Sequence, residues 1–289
     1  MPDTLVARQT SWLLAGRRRT FPGRTLVMGV VNVTPDSFSD GGRYLDIGAA
    51  VDQGLSLARA GADILDIGGE STRPGADHVP AADEISRVVP VIERLVDALG
   101  EGGPVVSVDT YKARTAAAAL TAGASLVNDI GGGRLDPELA HAAAAGGAAL
   151  VVMHSRSSPA DMQSDLATAY DDVVAEVRDF LAAAVDHAIA AGVPAEAIAV
   201  DPGIGFGKRL EHNVALLKSL DRLAPPGRPV LVGSSRKSML GELTGRPVDD
   251  RLAASVASVT AAVMGGAEIV RVHDVAEAVD ACRVAEALR

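Results

Sequence analysis

Residues 26–35, with the sequence LVMGVVNVTP, decide between the two folds that alternating strands and helices can form. The apolar run over residues 26–31 is typical of a parallel strand buried on both faces. An open, doubly wound sheet predicts a Gly-x-Gly-x-x-Gly turn after its first strand. Here the strand is followed by Asn32-Val33-Thr34-Pro35 instead. The stretch therefore favours a closed barrel over the open sheet.

The rest of the chain repeats this strand-and-helix unit. Strands are predicted at residues 26–31, 63–67, 105–108, 125–127, 148–153, 197–200, 229–232 and 267–270. Apolar residues at three- and four-residue intervals predict helices at 47–60, 84–99, 113–122, 137–145, 173–191, 213–220, 251–264 and 275–288. The mean strand spacing of about 34 residues is close to the roughly 31 expected of a (β/α)8 barrel. We predict an α/β fold, a single-domain (β/α)8 TIM barrel over residues 23–289. Residues 1–22 are predicted to be an extension, a strand or hairpin at the barrel bottom.

Composition excludes several classes of protein. The chain has 289 residues, of which 48% are apolar and 22% charged, which rules out disorder, a coiled coil and a collagen repeat. A net charge of −10 argues against nucleic-acid and anionic-membrane surfaces. The single cysteine, Cys282, allows no internal disulfide, which favours a cytoplasmic protein. There is no apolar run of membrane-spanning length, and Arg17–Arg19 follow the apolar residues 12–14, the wrong order for a secretory signal.

Polar residues follow every predicted strand, at the end of a barrel where active sites lie. Any one of them can be a helix N-cap and no more. All eight strand ends converging on one rim favour a ligand site. The residues are Asn32, Thr72, Asp109, Asn128, His154, Asp201, Lys237 and Arg271 with their neighbours.

The strand ends differ in charge. Basic residues follow the last two strands, where barrels often bind phosphate: Arg236, Lys237, Arg271 and His273. A carboxylate and amide set is expected opposite them: Asp109, Asn128 and Asp201. Such a set suits a flat heterocycle with several N–H groups. The pattern predicts a ligand with a nitrogen-rich ring at one end and phosphates at the other.

Three other features have competing interpretations. Residues 203–208 look like a phosphate loop, but Pro202 and Arg209 stand where a Walker motif needs glycine and Ser or Thr. His154 is a candidate base, although a histidine after a strand is more often structural, and no histidine pair has zinc-ligand spacing. Phe38 and Phe206 lie in glycine-rich loops, where they are either loop anchors or an apolar clamp over a flat ring.

These motifs resemble the dihydropteroate synthase family. The resemblance runs from about residue 24 to the end of the chain, in family order, and is strongest in the first, fifth and sixth of these motifs. They are NVTPDSFSDGG (32–42), GESTRPG (69–75), SVDT (107–110), NDI (128–130), DPGIGFGK (201–208), SRKS (235–238) and RVHDV (271–275).

The resemblance implies a (β/α)8 barrel, usually a homodimer, that joins p-aminobenzoate to 6-hydroxymethyl-7,8-dihydropterin diphosphate with Mg²⁺. It assigns pterin binding to Asp109, Asn128, Asp201 and Lys237. It assigns the diphosphate to Asn32, Arg271 and His273, with Asn32 also facing the metal. It assigns p-aminobenzoate to Thr72, Arg73, Pro74, Phe38, Phe206 and Ser238. Asp40 would join when the first loop closes, and Met153 completes the substrate-binding set. The residues with catalytic roles are Asp40, Thr72, Arg73, Lys237, Arg271 and His273.

The sequence departs from the family pattern in two places. The family commonly has Met-His-Met-x-Gly after the fifth strand, whereas Ser155 follows His154 here. Met239 stands where the family often has phenylalanine. Both changes leave the shape of the p-aminobenzoate pocket, and hence sensitivity to sulfonamides that mimic this substrate, open.

Two other functions are compatible with parts of this residue set. A pterin-binding methyltransferase domain would share the barrel and the carboxylates, but it would have no use for Arg271 and His273 as a diphosphate site or for the loop around Thr72. A non-catalytic paralogue that binds pterin or a protein partner should have lost part of the residue set, and this chain keeps all of it.

Overall fold

The computed structural model describes residues 9–33, 43–72, 75–158, 161–162, 164 and 167–289, with only the backbone described for residues 43–46. Eight parallel strands form the barrel, in the order β8-β7-β6-β5-β4-β3-β10-β9. They are β3 (Leu26–Asn32), β4 (Ile64–Gly68), β5 (Val105–Asp109), β6 (Leu126–Asp129), β7 (Ala149–Met153), β8 (Ile198–Asp201), β9 (Leu231–Val232) and β10 (Ile269–Val272). The fold prediction is confirmed, and every predicted strand is present.

The barrel closes between its shortest strand and β8. Pro229 has no N–H and Gly233 follows β9, so β9 is only two residues long. A single parallel bridge between Val200 and Val230 joins the two edges, and the Val200 N–H donates to the Pro229 carbonyl at 3.0 Å. The closure leaves the carboxyl ends of the strands around a common mouth.

Helices follow the strands and cover the outside of the barrel. They are α1 (Arg43–Arg59), α2 (Ala81–Leu99), α3 (Ala113–Thr121), α4 (Leu139–Ala145), α5 (Val173–Ala190), α6 (Leu210–Leu217), α7 (Leu220–Leu223), α8 (Ser238–Thr244), α9 (Leu252–Met264) and α10 (Val275–Leu288). The apolar face of α2 shows why they pack: Val88, Val91, Ile92 and Leu95 are all fully buried. The short helices α7 and α8 were not predicted, because fewer than two or three turns give no clear periodicity.

An antiparallel hairpin of β1 (Thr10–Leu14) and β2 (Arg17–Phe21) lies at the other end of the barrel. Trp12 is fully buried, and its Nε1 donates to the carbonyl of Ala197 at 3.0 Å, just before β8. Thr10 donates to Glu268 at 3.0 Å, just before β10. These contacts lie at the amino ends of the strands, so the hairpin covers the barrel bottom. In the described part of the chain, no helix is long and apolar enough to cross a membrane.

Candidate active site

The centre of the barrel mouth holds an arginine between two carboxylates. Arg271 on β10 donates from Nε to Asp66 Oδ2 at 2.7 Å and from Nη2 to Asp109 Oδ2 at 2.6 Å. Burial alone would lower the pKa of Arg271, but the nearby carboxylates of Asp66 and Asp109 outweigh burial and raise it. The guanidinium is therefore a fixed positive charge in a partly buried site.

The separation between basic and acidic strand ends was predicted wrongly. Arg271 was expected opposite Asp109, Asn128 and Asp201, yet it contacts Asp109 directly. The arginine side chain is long enough to reach the carboxylates of β4 and β5 across the mouth. Asn128 joins the same cluster by donating to Asp66 Oδ2 at 2.9 Å. The pterin-type and phosphate-type residues form one connected cluster.

Asp66 is the residue that the sequence analysis missed. It is fully buried in the middle of β4 and also accepts a 2.6 Å hydrogen bond from Ser107. The signal was present: an aspartate inside the apolar strand Ile64–Gly68 must be paired, because an unpaired buried charge is costly. Asp66 lies two positions before the end of β4, so it is not among the polar residues that follow the strands.

Two carboxyl groups at the mouth, Asp109 and Asp201, have raised pKa values. Burial raises the pKa of Asp109 to about 7, and Arg271 opposes this rise. Burial also raises the pKa of Asp201, with Lys237 opposing. Asp201 Oδ1 accepts the Gly203 N–H at 2.7 Å. Among the described residues, Asp109 Oδ1 is buried without a hydrogen-bond partner. Buried carboxyl groups with a raised pKa, one of which has an oxygen without a hydrogen-bond partner, indicate a ligand-binding site.

The loop after β8 positions Lys237 and Phe206. Gly203 and Gly205 both have positive φ, and a side-chain carbon on Gly203 would clash with the His154 carbonyl oxygen. The Lys237 ammonium donates to the Ile204 carbonyl and lies 4.5 Å from the centre of the Phe206 ring. Burial lowers the pKa of Lys237 to about 8, partly offset by Asp201. The loop thus places a cation and an aromatic face side by side.

His154 and Lys208 form a buried pair beneath this loop. The Lys208 ammonium lies 2.9 Å from His154 Nδ1 and donates to the carbonyls of Gly203 and Phe206, also at 2.9 Å. Burial, followed by the charge of Lys208, lowers the pKa of His154 to about 2. The structure supports the structural interpretation of His154. Lys208 points into the protein, which also disfavours a phosphate-loop interpretation.

The rim carries polar groups that are held by the loops after β9 and β10. The Ser235 hydroxyl lies 3.2 Å from His273 Nδ1. Withdrawal from water, then the charges of Arg271 and Arg236, lowers the pKa of His273 to about 4, so it is neutral at pH 7. Arg236 is committed to Asp274, to which its Nε donates at 3.0 Å. Arg236 and His273 therefore do not act as free cations in this structure.

The remaining predicted site residues occupy the same end of the barrel. Asn32 is half-buried at the end of β3, and Thr72 is half-buried shortly after β4. Met153 is buried at the end of β7, and Ser238 is exposed as the first residue of α8. Four predicted residues lie outside the described part of the chain: Phe38, Asp40, Arg73 and Pro74.

Comparison with known proteins gives the family. The model of the family described as pterin binding enzyme matches residues 28–273. A dihydropteroate synthase of Mycobacterium leprae is 48% identical over 264 residues, which cover 89% of this chain and 91% of that protein. A probable bifunctional folylpolyglutamate synthase/dihydropteroate synthase of Haloferax volcanii is 51% identical over 92% of this chain. The match spans only 31% of that longer protein.

Solved structures agree with the sequence relatives. The Xanthomonas albilineans dihydropteroate synthase with 4-aminobenzoic acid superposes with a TM-score of 0.87 at 48% identity, covering 97% of this chain and 98% of the other. The same enzyme in complex with 7,8-dihydropteroate gives a TM-score of 0.83 at 45% identity, covering 96% and 98%.

The chain belongs to the pterin-binding enzyme family, as the family model and these matches show. It is a transferase, and the relatives that match it along nearly their whole length are dihydropteroate synthases.

Proposed function

We propose that the residues at the barrel mouth bind the pterin diphosphate substrate of a dihydropteroate synthase in two parts, with its ring on a floor of acidic and amide groups and its diphosphate at a donor-rich rim. The chain acts in folate biosynthesis, where it condenses 6-hydroxymethyl-7,8-dihydropterin diphosphate with p-aminobenzoate and releases 7,8-dihydropteroate and diphosphate. The observation that carries the division is the buried, unpartnered Oδ1 of Asp109 beside the fixed guanidinium of Arg271.

The floor is proposed to bind the pterin ring. Asp109 and Asp201 supply acceptors for the N–H groups of the ring, and Asn128 is held in place by Asp66. Lys237 is a donor above them, already withdrawn from water and stacked on Phe206. A dihydropterin edge presents several donors and acceptors close together, which this mixture of acid, amide and ammonium groups matches.

The rim is proposed to bind the diphosphate. Arg271 offers a permanent positive charge; its hydrogen bonds to Asp66 and Asp109 use Nε and Nη2, and Nη1 is proposed to donate to the diphosphate. His273, neutral at pH 7, donates a hydrogen bond without adding charge. Asn32 adds an amide from the end of β3, the strand that is hydrogen-bonded to β10 in the barrel.

The donor set at the rim fits Mg²⁺ that arrives with the diphosphate. Among the described residues, no group of three or more His, Cys, Asp or Glu could hold a metal by itself. Mg²⁺ commonly keeps waters and substrate phosphate oxygens as ligands, with few protein ligands. Asn32 would supply the protein oxygen. Bound Mg²⁺ would neutralise charge on the leaving diphosphate.

The reaction is proposed to be a dissociative substitution at carbon. The bond between the pterin methylene and the diphosphate oxygen breaks, and its electron pair leaves with the diphosphate. The aniline nitrogen, neutral at pH 7, forms the new C–N bond and then loses a proton to water. Arg271 stabilises the departing charge, and ionised Asp109 and Asp201 stabilise the cationic methylene and ring. Closing loops would exclude water, which competes with the amine.

The p-aminobenzoate pocket is proposed to lie between the loops after β4 and β8. Thr72 is on the first loop and Phe206 on the second, across the barrel mouth from it, and Ser238 begins α8 after β9, the strand next to β8. Met153, buried at the end of β7, belongs to the wall of the substrate site. Phe38, Asp40, Arg73 and Pro74 keep their expected roles as parts of this pocket.

We also infer a cytoplasmic homodimer. Helices α9 and α10 pack side by side and leave a groove lined by Leu252, Val256 and Val284. Leu252 is 42% exposed and Val284 is 55% exposed, an apolar surface that a second copy of the chain would cover.

Diphosphate release, measured in a coupled assay with both substrates and with or without Mg²⁺, tests the proposal. Release that requires p-aminobenzoate and Mg²⁺ is the expected result. Asp201→Asn should remove measurable pterin binding in calorimetry, because the amide cannot replace a carboxylate acceptor. The control, Arg246→Gln, breaks only an exposed ion pair and should bind normally. Release without p-aminobenzoate, or none at all, would contradict the synthase and favour a silent paralogue.

A further inference from the structure

A buried ion network lies behind the loop after β4. The Lys112 ammonium pairs with Glu70 and lies 2.9 Å from Glu84 Oε2. Thr115 also donates to Glu84 Oε2, at 2.9 Å. All four side chains are buried. Removing one member of such a network leaves a buried charge without a partner, so the network holds its members in fixed places.

Glu70 ties together the two ends of that loop. It immediately precedes Ser71 and Thr72 in the chain, and its Oε2 accepts the backbone N–H of Val79, where the loop returns, at 3.3 Å. Its Oε1 accepts the Tyr111 hydroxyl at 2.9 Å. The same hydroxyl lies 2.9 Å from Nδ1 of His78, on the returning side of the loop. One carboxylate and one phenol therefore bind both ends of the loop.

The partners of the loop directly follow the strand that carries the pterin carboxylate. Tyr111 and Lys112 follow Asp109 by two and three residues, and the Lys112 N–H donates to the Thr110 hydroxyl at 3.2 Å. The floor of the site and the base of the loop thus share one short, hydrogen-bonded segment. Burial, then the hydrogen bond to Glu70, raises the pKa of Tyr111, so its hydroxyl remains a donor at neutral pH.

We propose that Tyr111 and Lys112 are positioning residues for the second substrate: through Glu70 they fix the base of the loop that carries Thr72. The inference rests on the proposed role of that loop in binding p-aminobenzoate. Neither residue touches the reacting atoms. Their effect is to keep the loop in its binding conformation before p-aminobenzoate arrives, which lowers the ordering cost of binding.

Tyr111→Phe is the sharpest test, because it removes one hydroxyl and leaves no unpaired charge. We expect the KM for p-aminobenzoate to rise about tenfold, the scale of one hydrogen bond to a charged acceptor. We expect kcat and the KM for the pterin diphosphate to change by less than about twofold, since the floor is untouched. Hydrogen exchange of residues 75–80 in the substrate-free protein should become faster.

Tyr170→Phe is the matched control. Among the described residues its hydroxyl has no hydrogen-bond partner, so both KM values and the exchange should stay unchanged. Lys112→Arg, which keeps the charge, should retain a KM for p-aminobenzoate nearer the wild-type value than Lys112→Met. Lys112→Met leaves the buried carboxylates of Glu70 and Glu84 without their cation and is expected to unfold more easily. If Lys112→Met does not fold, Tyr111→Phe decides the test.

Two results would overturn the positioning role. One is a Tyr111→Phe protein that is less stable but has an unchanged KM for p-aminobenzoate. The network would then stabilise the fold without affecting substrate binding. The other is an equal rise in both KM values. A wild-type protein without p-aminobenzoate-dependent release would instead refute the proposed function, and the exchange of residues 75–80 would still report whether the network holds the loop.

Discussion

The two ends of the barrel both bury carboxylates, but they use them differently. At the bottom, Glu268 accepts the Thr10 hydroxyl at 3.0 Å on one oxygen and the Val230 N–H at 2.7 Å on the other. At the mouth, Asp109 binds Arg271 through one oxygen, and its other oxygen has no partner among the described residues. The carboxylate at the bottom has hydrogen-bond partners on both oxygens, whereas the one at the mouth has an unused acceptor and a pKa raised by burial. The difference separates a structural site from a ligand site.

Arg271→Ala, at the mouth, should have the largest effect on activity of any change at either end of the barrel. The kcat/KM is expected to fall by roughly 100-fold or more, the ~3 kcal/mol scale of one preorganised charge contact, measured by steady-state diphosphate release. Asp66 and Asp109 would lose their shared cation, so the variant should also unfold more easily. Arg271→Lys keeps the charge but not the two-point contact, and should recover stability better than activity.

Glu268→Gln is the matched change at the bottom of the barrel. It should lower the free energy of unfolding by about 1–3 kcal/mol, because a charged acceptor is replaced by a weaker one. Its kcat/KM should remain within about twofold of wild type. Normal activity in Arg271→Ala, or a loss of activity in a well-folded Glu268→Gln protein, would remove the functional distinction between the ends.

The pH dependence of kcat/KM should show the next effect in size. Asp109, with a pKa of about 7, is the group whose carboxylate is needed, so activity should fall up to about tenfold per pH unit below 7. Lys237, with a pKa of about 8, loses its positive charge as pH rises through 8, so activity should fall again. The profile should be a narrow bell between the two values.

Two variants identify which groups cause the acid and the alkaline falls in kcat/KM. Asp109→Asn cannot ionise, so its lower activity should no longer fall on the acid side. Lys237→Arg should move the alkaline fall to higher pH, because arginine stays charged. An acid limb that persists in Asp109→Asn would transfer the titration to Asp201, whose pKa burial also raises. Comparing variants in the same buffers cancels the titration of the substrates themselves.

The sequence predicts the strands of this molecule better than the contacts between its side chains. All eight strands were found because buried parallel strands are short apolar runs, and their predicted ends differ from the observed ends by at most two residues. The residues at the strand ends were also found, since polar groups there stand out. What one chain does not reveal is how far a long side chain reaches, which is why Arg271 was placed opposite Asp109 rather than against it.

The ion network behind the β4 loop was missed for a related reason. Glu84 lies in the first turn of α2 and Lys112 just before α3, positions where charged residues are ordinarily exposed helix caps. Only the packing of α2 against α3 buries them together with Glu70. Burial of a charge is a property of three-dimensional packing, so spacing along the chain does not indicate it.

Trp12→Phe should have the smallest effect on catalysis and bears most directly on the role of the hairpin. The change removes the 3.0 Å hydrogen bond to Ala197 and part of a fully buried ring, so unfolding should become easier by about 1–3 kcal/mol in chemical denaturation. The hairpin contacts only the amino ends of the strands in these bonds, so kcat and both KM values should stay within about twofold of wild type. A selective rise in the KM for either substrate would mean that the bottom of the barrel is coupled to the mouth through β8, whose carboxyl end carries Asp201. The structural site at the bottom and the ligand site at the mouth would then be coupled through one strand and would not be independent.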